Sequence, residues 1–594
     1  MNQETSQLTL DMQALYDELF PLCRSLTGEG YDKSLAILQR YVPFKIEEYE
    51  SGTQVCDWIV PPAWTLRRAT LKDPNGKIIL DTNDNVLHVL NYSDPFSGKV
   101  SLAELQEHLY SDPLTPKAIP YTTSYYKNRW GLCMSQEQRD TLVDGMYQVE
   151  IDTIKDPEGA VKIGVCDLIG QSNRIVQLSA YMCHPSLLNN ELSGPITLVY
   201  LYQLLKALPN RKYTYRFVIN PETIGSICYL SRHAKELKER LEYGIVLTCM
   251  AAPYNQQTLQ KTKPHERKCK SVIDLSLVNK DYFALLEQFE VKHEQNFLPL
   301  PLSFKRTRQS FVDEMQAYFK LDPNQSLKSE GAATSDTKNP LDLQSRINSL
   351  AAGMKQDSGK LARHSYVLLE ASDPTIDDAD KMKRYRECEL NFEKIGSNNF
   401  KAATTAVPEG KEHTFKYSYD IDNVLAQLAY SNSNAVSLRH FAANSGSDER
   451  QYCSALLNLP VVQVTRTLYA CYPGYHTSED NQELFSLDSL IDSALQLFTC
   501  IKYLECYKSK PKCKVICELQ LGRRGLYPDV NSPKVRSNRN TDDINSLEVL
   551  MGLLNLSDGT FDINQLSQMV QVSPLDLTIL LEHLIKSEVI TLTY

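Results

Sequence analysis

Three residues able to bind a divalent cation or to move a proton each follow a run of apolar, strand-forming residues. His184 ends RIVQLSAYMCH (174–184), Glu222 ends YRFVINPE (215–222), and His476 lies in YPGYHTSED (472–480). Imidazole and carboxylate are the ligand types that zinc takes, and a carboxylate beside a zinc-bound water can accept its proton. In open α/β sheets, ligands collect outside the carboxyl ends of the strands. HPSLLNNELSG (184–194) then runs through a polar loop to Gly194 at a predicted helix start, where backbone and side chains can converge on a ligand. A carboxylate placed directly after an apolar strand, as Glu222 is, is costly unless a cation, a proton or a hydrogen bond compensates it.

The elements around these residues alternate strand and helix. Strands are predicted at 174–183, 213–220 and 243–250, with helices at 194–208 and 226–241 between them. Connections of this kind make βαβ units, which bring strand ends to one edge of a parallel sheet. The pattern resumes with a helix at 421–430, strands in NAVSLRHF (434–441) and LPVVQVTR (459–466), and a long helix at 487–507. Residues 45–155 have a different texture, with short strand-like runs among Pro, Gly, Asn and aromatic residues, and read as a small β-rich module whose packing includes His88, Trp58 and Trp130. Residues 253–414 carry mixed charge and little periodicity, and read as a long insertion, partly disordered, with helices at 278–290 and 340–355. Near the end, 546–554, 563–569 and 574–586 read as three helices before the strand VITLTY, a winged-helix-like order.

The chain has 594 residues, too many for one core, with 42% hydrophobic and 23% charged residues and a net charge of −10. This is a globular composition, and its acidic balance argues against nucleic-acid binding through the overall field. The last predicted helix, PLDLTILLEHLIK, lacks the basic face of a groove-reading helix, so a packing or protein-contact role is expected for the tail. No apolar run approaches the ~20 residues that span a bilayer, and the polar start has neither region of a signal peptide, so a cytoplasmic, membrane-free protein is expected. Fifteen cysteines without a C-x-x-C pair read as reduced core thiols, and Cys513 and Cys517 have no matching second pair. Thr27-Gly-Glu-Gly lacks the lysine and the spacing of a phosphate loop.

The chain resembles the aminopeptidase-like proteins of bacterial polysaccharide-biosynthesis clusters, relatives of the two-zinc aminopeptidases. The resemblance is carried by FPLCRSLTGEG (20–30), SGTQVCDWIVPPAW (51–64), LHVLNYS (87–93), IPYTTSYYKNRWGLC (119–133), CHPSLLNNELSG (183–194), NPETIGSICYLS (220–231), GSDERQYC (446–453), YPGYHTSEDN (472–481) and LGRRGLYP (521–528). It implies a zinc-aminopeptidase-like α/β/α domain (1–45, 156–252 and 415–510), an inserted small β-rich domain (46–155), the long insertion (253–414) and a winged-helix-like C-terminal domain (511–594). It also implies metal ligands at His184, Glu222 and His476, with Glu222 as either ligand or general base.

Against the family pattern, the bridging aspartate of Asn-Asp-Asn becomes Asn190 in Asn189-Asn190-Glu191, and the aspartate of Cys-Val-Gly-Asp becomes Ala252. Gly474 replaces the glutamate of Tyr-Pro-Glu-Tyr-His. An amide offers only a neutral oxygen, so two adjacent dications would lack compensation. Glu191 could swing in as a substitute, but its neighbouring position is expected to point elsewhere. Zinc is therefore expected as one ion or none. Two functions follow: an altered or inactive relative acting in binding, or a zinc-dependent hydrolase of a peptide or related amide using Glu222. Arg466 and Asp448 are candidate substrate-binding residues, weighed against a structural ion pair and a turn or cap. The expected partner is a peptide-like or amide small molecule, or a protein met through the insertion and the tail.

Overall fold

A computed structural model describes residues 10–208, 211–251, 272–273, 302–310, 312–313, 418–431, 436–439, 441, 446–467 and, apart from single positions, 469–524, together with 546–593. Ala252 and the helices predicted at 278–290 and 340–355 lie outside the described residues, as does most of the segment read as partly disordered.

Helices α1 (Met12–Leu19) and α2 (Glu29–Gln39) precede β1 (Lys45–Glu50). The small domain is a four-stranded antiparallel sheet of β2 (Ala63–Lys72), β3 (Ile78–Asp81), β4 (Phe96–Ser101) and β5 (Met146–Asp156), in the order β3-β2-β5-β4. Its core gathers Trp64, Leu71, Leu80, Val100, Leu132, Tyr147 and Val149, and the Trp64 indole donates to the Ser93 carbonyl at 2.9 Å. Trp130 stacks on His108 and Phe96, and His88 is buried against the Cys133 carbonyl. Trp58 does not belong to this packing; it is 39% exposed and sits edge-on to Tyr126.

The α/β domain continues with β6 (Ala160–Leu168), β7 (Ile175–Tyr181), α3 (Ser193–Ala207), β8 (Thr214–Asn220), α4 (Ile224–Arg240) and β9 (Leu241–Leu247). After these come β10 (Leu302–Lys305), α5 (Asp420–Ser431), β11 (Val436–Arg439), β12 (Val461–Thr465) and α6 (Leu487–Cys506). Eight strands form one sheet in the order β11-β10-β12-β9-β7-β8-β6-β1, with β8, β7, β9 and β12 mutually parallel. Two boundaries read from the sequence move. β1 pairs antiparallel with β6 and so belongs to the large sheet, not to the small domain that was expected from residue 46. β10, inside the segment read as an insertion, lies between β11 and β12 in the same sheet. A four-residue strand has too short a pattern to register as periodicity.

The central strands are buried on both faces, as parallel strands between helices must be. α3 is buried all round from Ser193 to Leu205, which explains why apolar residues occupy every side of it, with no charge before Lys206. It packs close: a Cβ at Gly194 would meet the Leu247 carbonyl oxygen at 2.5 Å. α4 covers the opposite face with Ile224, Ile227, Cys228 and Leu230 buried. The tail holds β13 (Lys510–Cys513), α7 (Ser546–Leu556), α8 (Ile563–Val570), α9 (Pro574–Lys586) and β14 (Ile590–Thr593), with β13 and β14 paired antiparallel. α9 packs on α6, where the almost buried Lys502 is paired with Glu582. Among the described residues, no helix is long and apolar enough to cross a membrane.

β10 also supplies one half of a buried ion pair. Lys305 Nζ lies 2.9 Å from Glu449 Oε1, with both side chains at most 2% exposed, and Gln463 and the Ser447 amide donate to the other oxygen of Glu449. Lys305→Ala would leave this carboxylate buried without its cation and is expected to cost about 3–5 kcal/mol. A lowered denaturant midpoint would show it, and a Lys305→Met/Glu449→Gln double variant should recover much of the loss.

Candidate metal centre

Three connections at the carboxyl ends of β7, β8 and β12 build the site. β7 runs on to Cys183 and His184, and β8 to Pro221 and Glu222. Leu188–Leu192 form one π-helical turn leading into α3. The third connection, between β12 and α6, carries His476. Ligand atoms of Cys183, His184, Glu191 and Glu222 all lie within 4.8 Å of one another. His476 joins them from the side: its ring is 5.1 Å from that of His184, centroid to centroid, with Tyr475 stacked on it at 4.0 Å. His184 and Glu222 thus stand in one group, and His476 lies beside it against the His184 ring.

Glu191 was expected to point elsewhere and instead points in. It is fully buried, its Oε2 accepts the Cys183 amide at 2.8 Å, and its Oε1 accepts the Asn190 side-chain amide at 3.2 Å and contacts His184 Nδ1. On the other side of the same ring, His184 Nε2 stands 3.9 Å from Glu222 Oε2. Below, Asp480 holds the turn: its carboxylate accepts the backbone amides of Asn189 (2.5 Å) and Asn190 (3.0 Å) and the Tyr472 hydroxyl (2.8 Å). Arg24 is fully buried and donates to the carbonyls of His184 and Leu19, fixing the loop that carries the imidazole.

Burial dominates the electrostatics. It pushes Glu222 up to about 7, with the nearby charge of Asp448 adding to the shift and the Ser447 hydroxyl, 2.5 Å from Oε1, opposing it. It drives His184 well below its ordinary value and His476 down to about 4, so both rings are neutral and able to ligate near pH 7. The Cys183 thiol is raised well above its ordinary value by burial, and it accepts the Glu222 amide at 3.4 Å.

The two candidate substrate-binding residues are committed to the protein. Asp448 is buried and accepts from the Asn220 side chain (2.7 Å), the Thr223 amide (2.7 Å) and the Ser226 hydroxyl (3.1 Å), bracing the turn that follows Glu222. Arg466 is buried and paired with Asp492 of α6, with further bonds to Ser489 and Ser493. The small domain supplies the roof. Tyr121 stands edge-on to His184 (4.3 Å) and His476 (5.3 Å), its hydroxyl 2.6 Å from that of Tyr125 and its amide donating to the His476 carbonyl at 2.7 Å. Sequence reasoning missed Ser447, Asp480 and Tyr121, and it set Glu191 aside. The signal available for Glu191 was a charge inside the otherwise uncharged run LLNNELSG.

Fold and site together define an aminopeptidase-like α/β protein with an inserted β-rich domain and a C-terminal winged helix. The chain belongs to the family described as a domain of unknown function (DUF4910), which matches residues 13–296 and 390–507, and residues 509–592 match a winged helix-turn-helix family. A Clostridium acetobutylicum protein named "Putative polysaccharide biosynthesis protein with aminopeptidase-like domain" is 39% identical over 248 residues, 42% of this chain. The match spans 56% of that protein's length. A crystal structure of a "putative peptidase" from Clostridium acetobutylicum shares the fold, with TM-score 0.61 and 24% identity over 98% of this chain and 95% of that one. A zinc aminopeptidase from Bacillus subtilis aligns at TM-score 0.40 and 10% identity over 83% of this chain and 95% of that one, too distant to carry an argument.

The Ser447 hydroxyl stabilises the ionised form of Glu222. Ser447→Ala is therefore expected to move Glu222 further above about 7 in chelator-treated protein, so that the carboxyl is mostly protonated at neutral pH. A carboxyl-selective infrared or carbon-13 titration would read the shift.

Proposed function

We propose that this protein is an altered aminopeptidase-like protein whose centre is furnished for a single zinc ion, and that it binds a peptide-like amide under the Tyr121 roof instead of hydrolysing it by a two-ion route. The observation that carries this reading is the charge available at the centre. Among the described residues, only Glu191 and Glu222 bring carboxylates within reach of His184. Asp448 and Asp480 each accept from three donors and point at the loops they brace. Two negative charges balance one dication and leave a second uncompensated.

The donor set fits zinc. Two neutral imidazoles and a carboxylate are its usual ligands, and the buried Asn190 Oδ1, which has no hydrogen-bond partner, adds a neutral oxygen nearby. His184, His476 and Glu222 would hold the ion. When bound, zinc polarises a carbonyl oxygen and makes an attached water more acidic. The chain's own residues orient a ligand: Tyr121 closes the space above the rings, and Glu222, with a quarter of its side chain open to solvent, faces what enters. That half-committed Glu222, raised to about 7, favours a second reading, hydrolysis of an amide with Glu222 as the proton acceptor. The aminopeptidase-like domain in the relative's name supports the amide ligand class under either reading.

For the tail we infer a packing role. α9, the position of a groove-reading helix, buries Leu577, Leu581 and Leu584 and is packed on α6, with Glu582 paired to Lys502.

Metal analysis on chelator-free protein tests the proposal. One zinc or less per chain is expected, with an aminoacyl amide binding in calorimetry and no turnover. Close to two zincs per chain, with aminoacyl-amide hydrolysis abolished by Glu222→Gln, would overturn it.

A further inference from the structure

We propose that Glu191 is the positioning residue of this centre and that Asn190 is what allows it to be there. The proposal rests on the one-ion reading only in its final step. Because Leu188–Leu192 coil as a π-turn, the Glu191 side chain folds back on the end of β7, where the Cys183 amide and the Asn190 side-chain amide both donate to it. Both Glu191 oxygens already accept an amide hydrogen, so the group also accepts from the His184 nitrogen it contacts, which places the ring proton on Nδ1. This leaves the Nε2 lone pair on the side of Glu222. A carboxylate behind a histidine fixes its tautomer and ring orientation and raises its basicity toward a metal. Glu191 thus supplies negative charge behind the imidazole, at the residue next to the one where the family pattern carries its aspartate.

The neighbouring amide is part of the same device. Asn190 Nδ2 donates to Glu191 Oε1, whereas an aspartate at 190 would set two carboxylates about one hydrogen bond apart in a buried space and drive one of them away or protonate it. A carboxylate at 190 and one at 191 therefore exclude each other in this turn. Asp480 holds the backbone amides of Asn189 and Asn190, so the start of the turn is fixed whichever of positions 190 and 191 carries the charge.

Nitrogen-15 spectra of the histidine rings in chelator-treated protein, paired with zinc titration, test this. In the unsubstituted protein His184 is expected as the neutral Nδ1–H tautomer; an Nε2–H ring there overturns the proposal without any variant. In Glu191→Gln the amide can donate to Nδ1, so the ring should shift toward Nε2–H and zinc affinity should fall about 10–100-fold at unchanged stoichiometry. An unchanged tautomer and affinity, or complete loss of zinc with the tautomer retained, would overturn the positioning role. The Asn190→Asp/Glu191→Asn double variant, which restores Asn-Asp-Asn, should release the tautomer lock and raise bound zinc above the unsubstituted level. A retained lock with no gain in zinc would contradict the exclusion of 190 by 191. Two zincs in the unsubstituted protein would end the one-ion reading while leaving the ring spectra to decide the role of Glu191.

Discussion

Four carboxylates meet at the carboxyl edge of a parallel sheet where water is largely excluded, and each has to be protonated, hydrogen-bonded or matched by a cation. How each is satisfied sorts them by role. Asp448 and Asp480 are filled by backbone and side-chain donors and brace loops. Glu191 is filled by a backbone amide, a side-chain amide and an imidazole. Glu222 keeps one hydroxyl and an open side, and is the group left free to meet something from outside.

The α/β alternation was legible because apolar strands and helices of ordinary length repeat with their proper periods, and His184 and Glu222 were legible because they stand just after strands. The inward direction of Glu191 was not, since it depends on the π-helical turn of Leu188–Leu192, and no residue type announces a π-turn. β10 was hidden by its length and by the segments around it. The ion pair of Arg466 with Asp492 was one of two readings the arginine allowed, and sequence carried nothing to choose its partner. The losses at 190 and 474 were plain as letters; that the turn at 190 would still deliver a carboxylate depended on geometry.

The tail shows how family shape and use separate. Its helices and strand pair follow a winged-helix order, yet the helix that would enter a groove is spent on α6. A fold common among nucleic-acid readers is here packed against the helix that also holds Arg466.

The stitching between roof and floor has a mechanical consequence. Ile119 and Ser478 exchange hydrogen bonds, and Tyr121 donates to the backbone of His476 itself. The β-rich domain is therefore no independent flap: swinging it outward would drag one imidazole away from the other, so widening the entrance and loosening the ligand cage are a single movement.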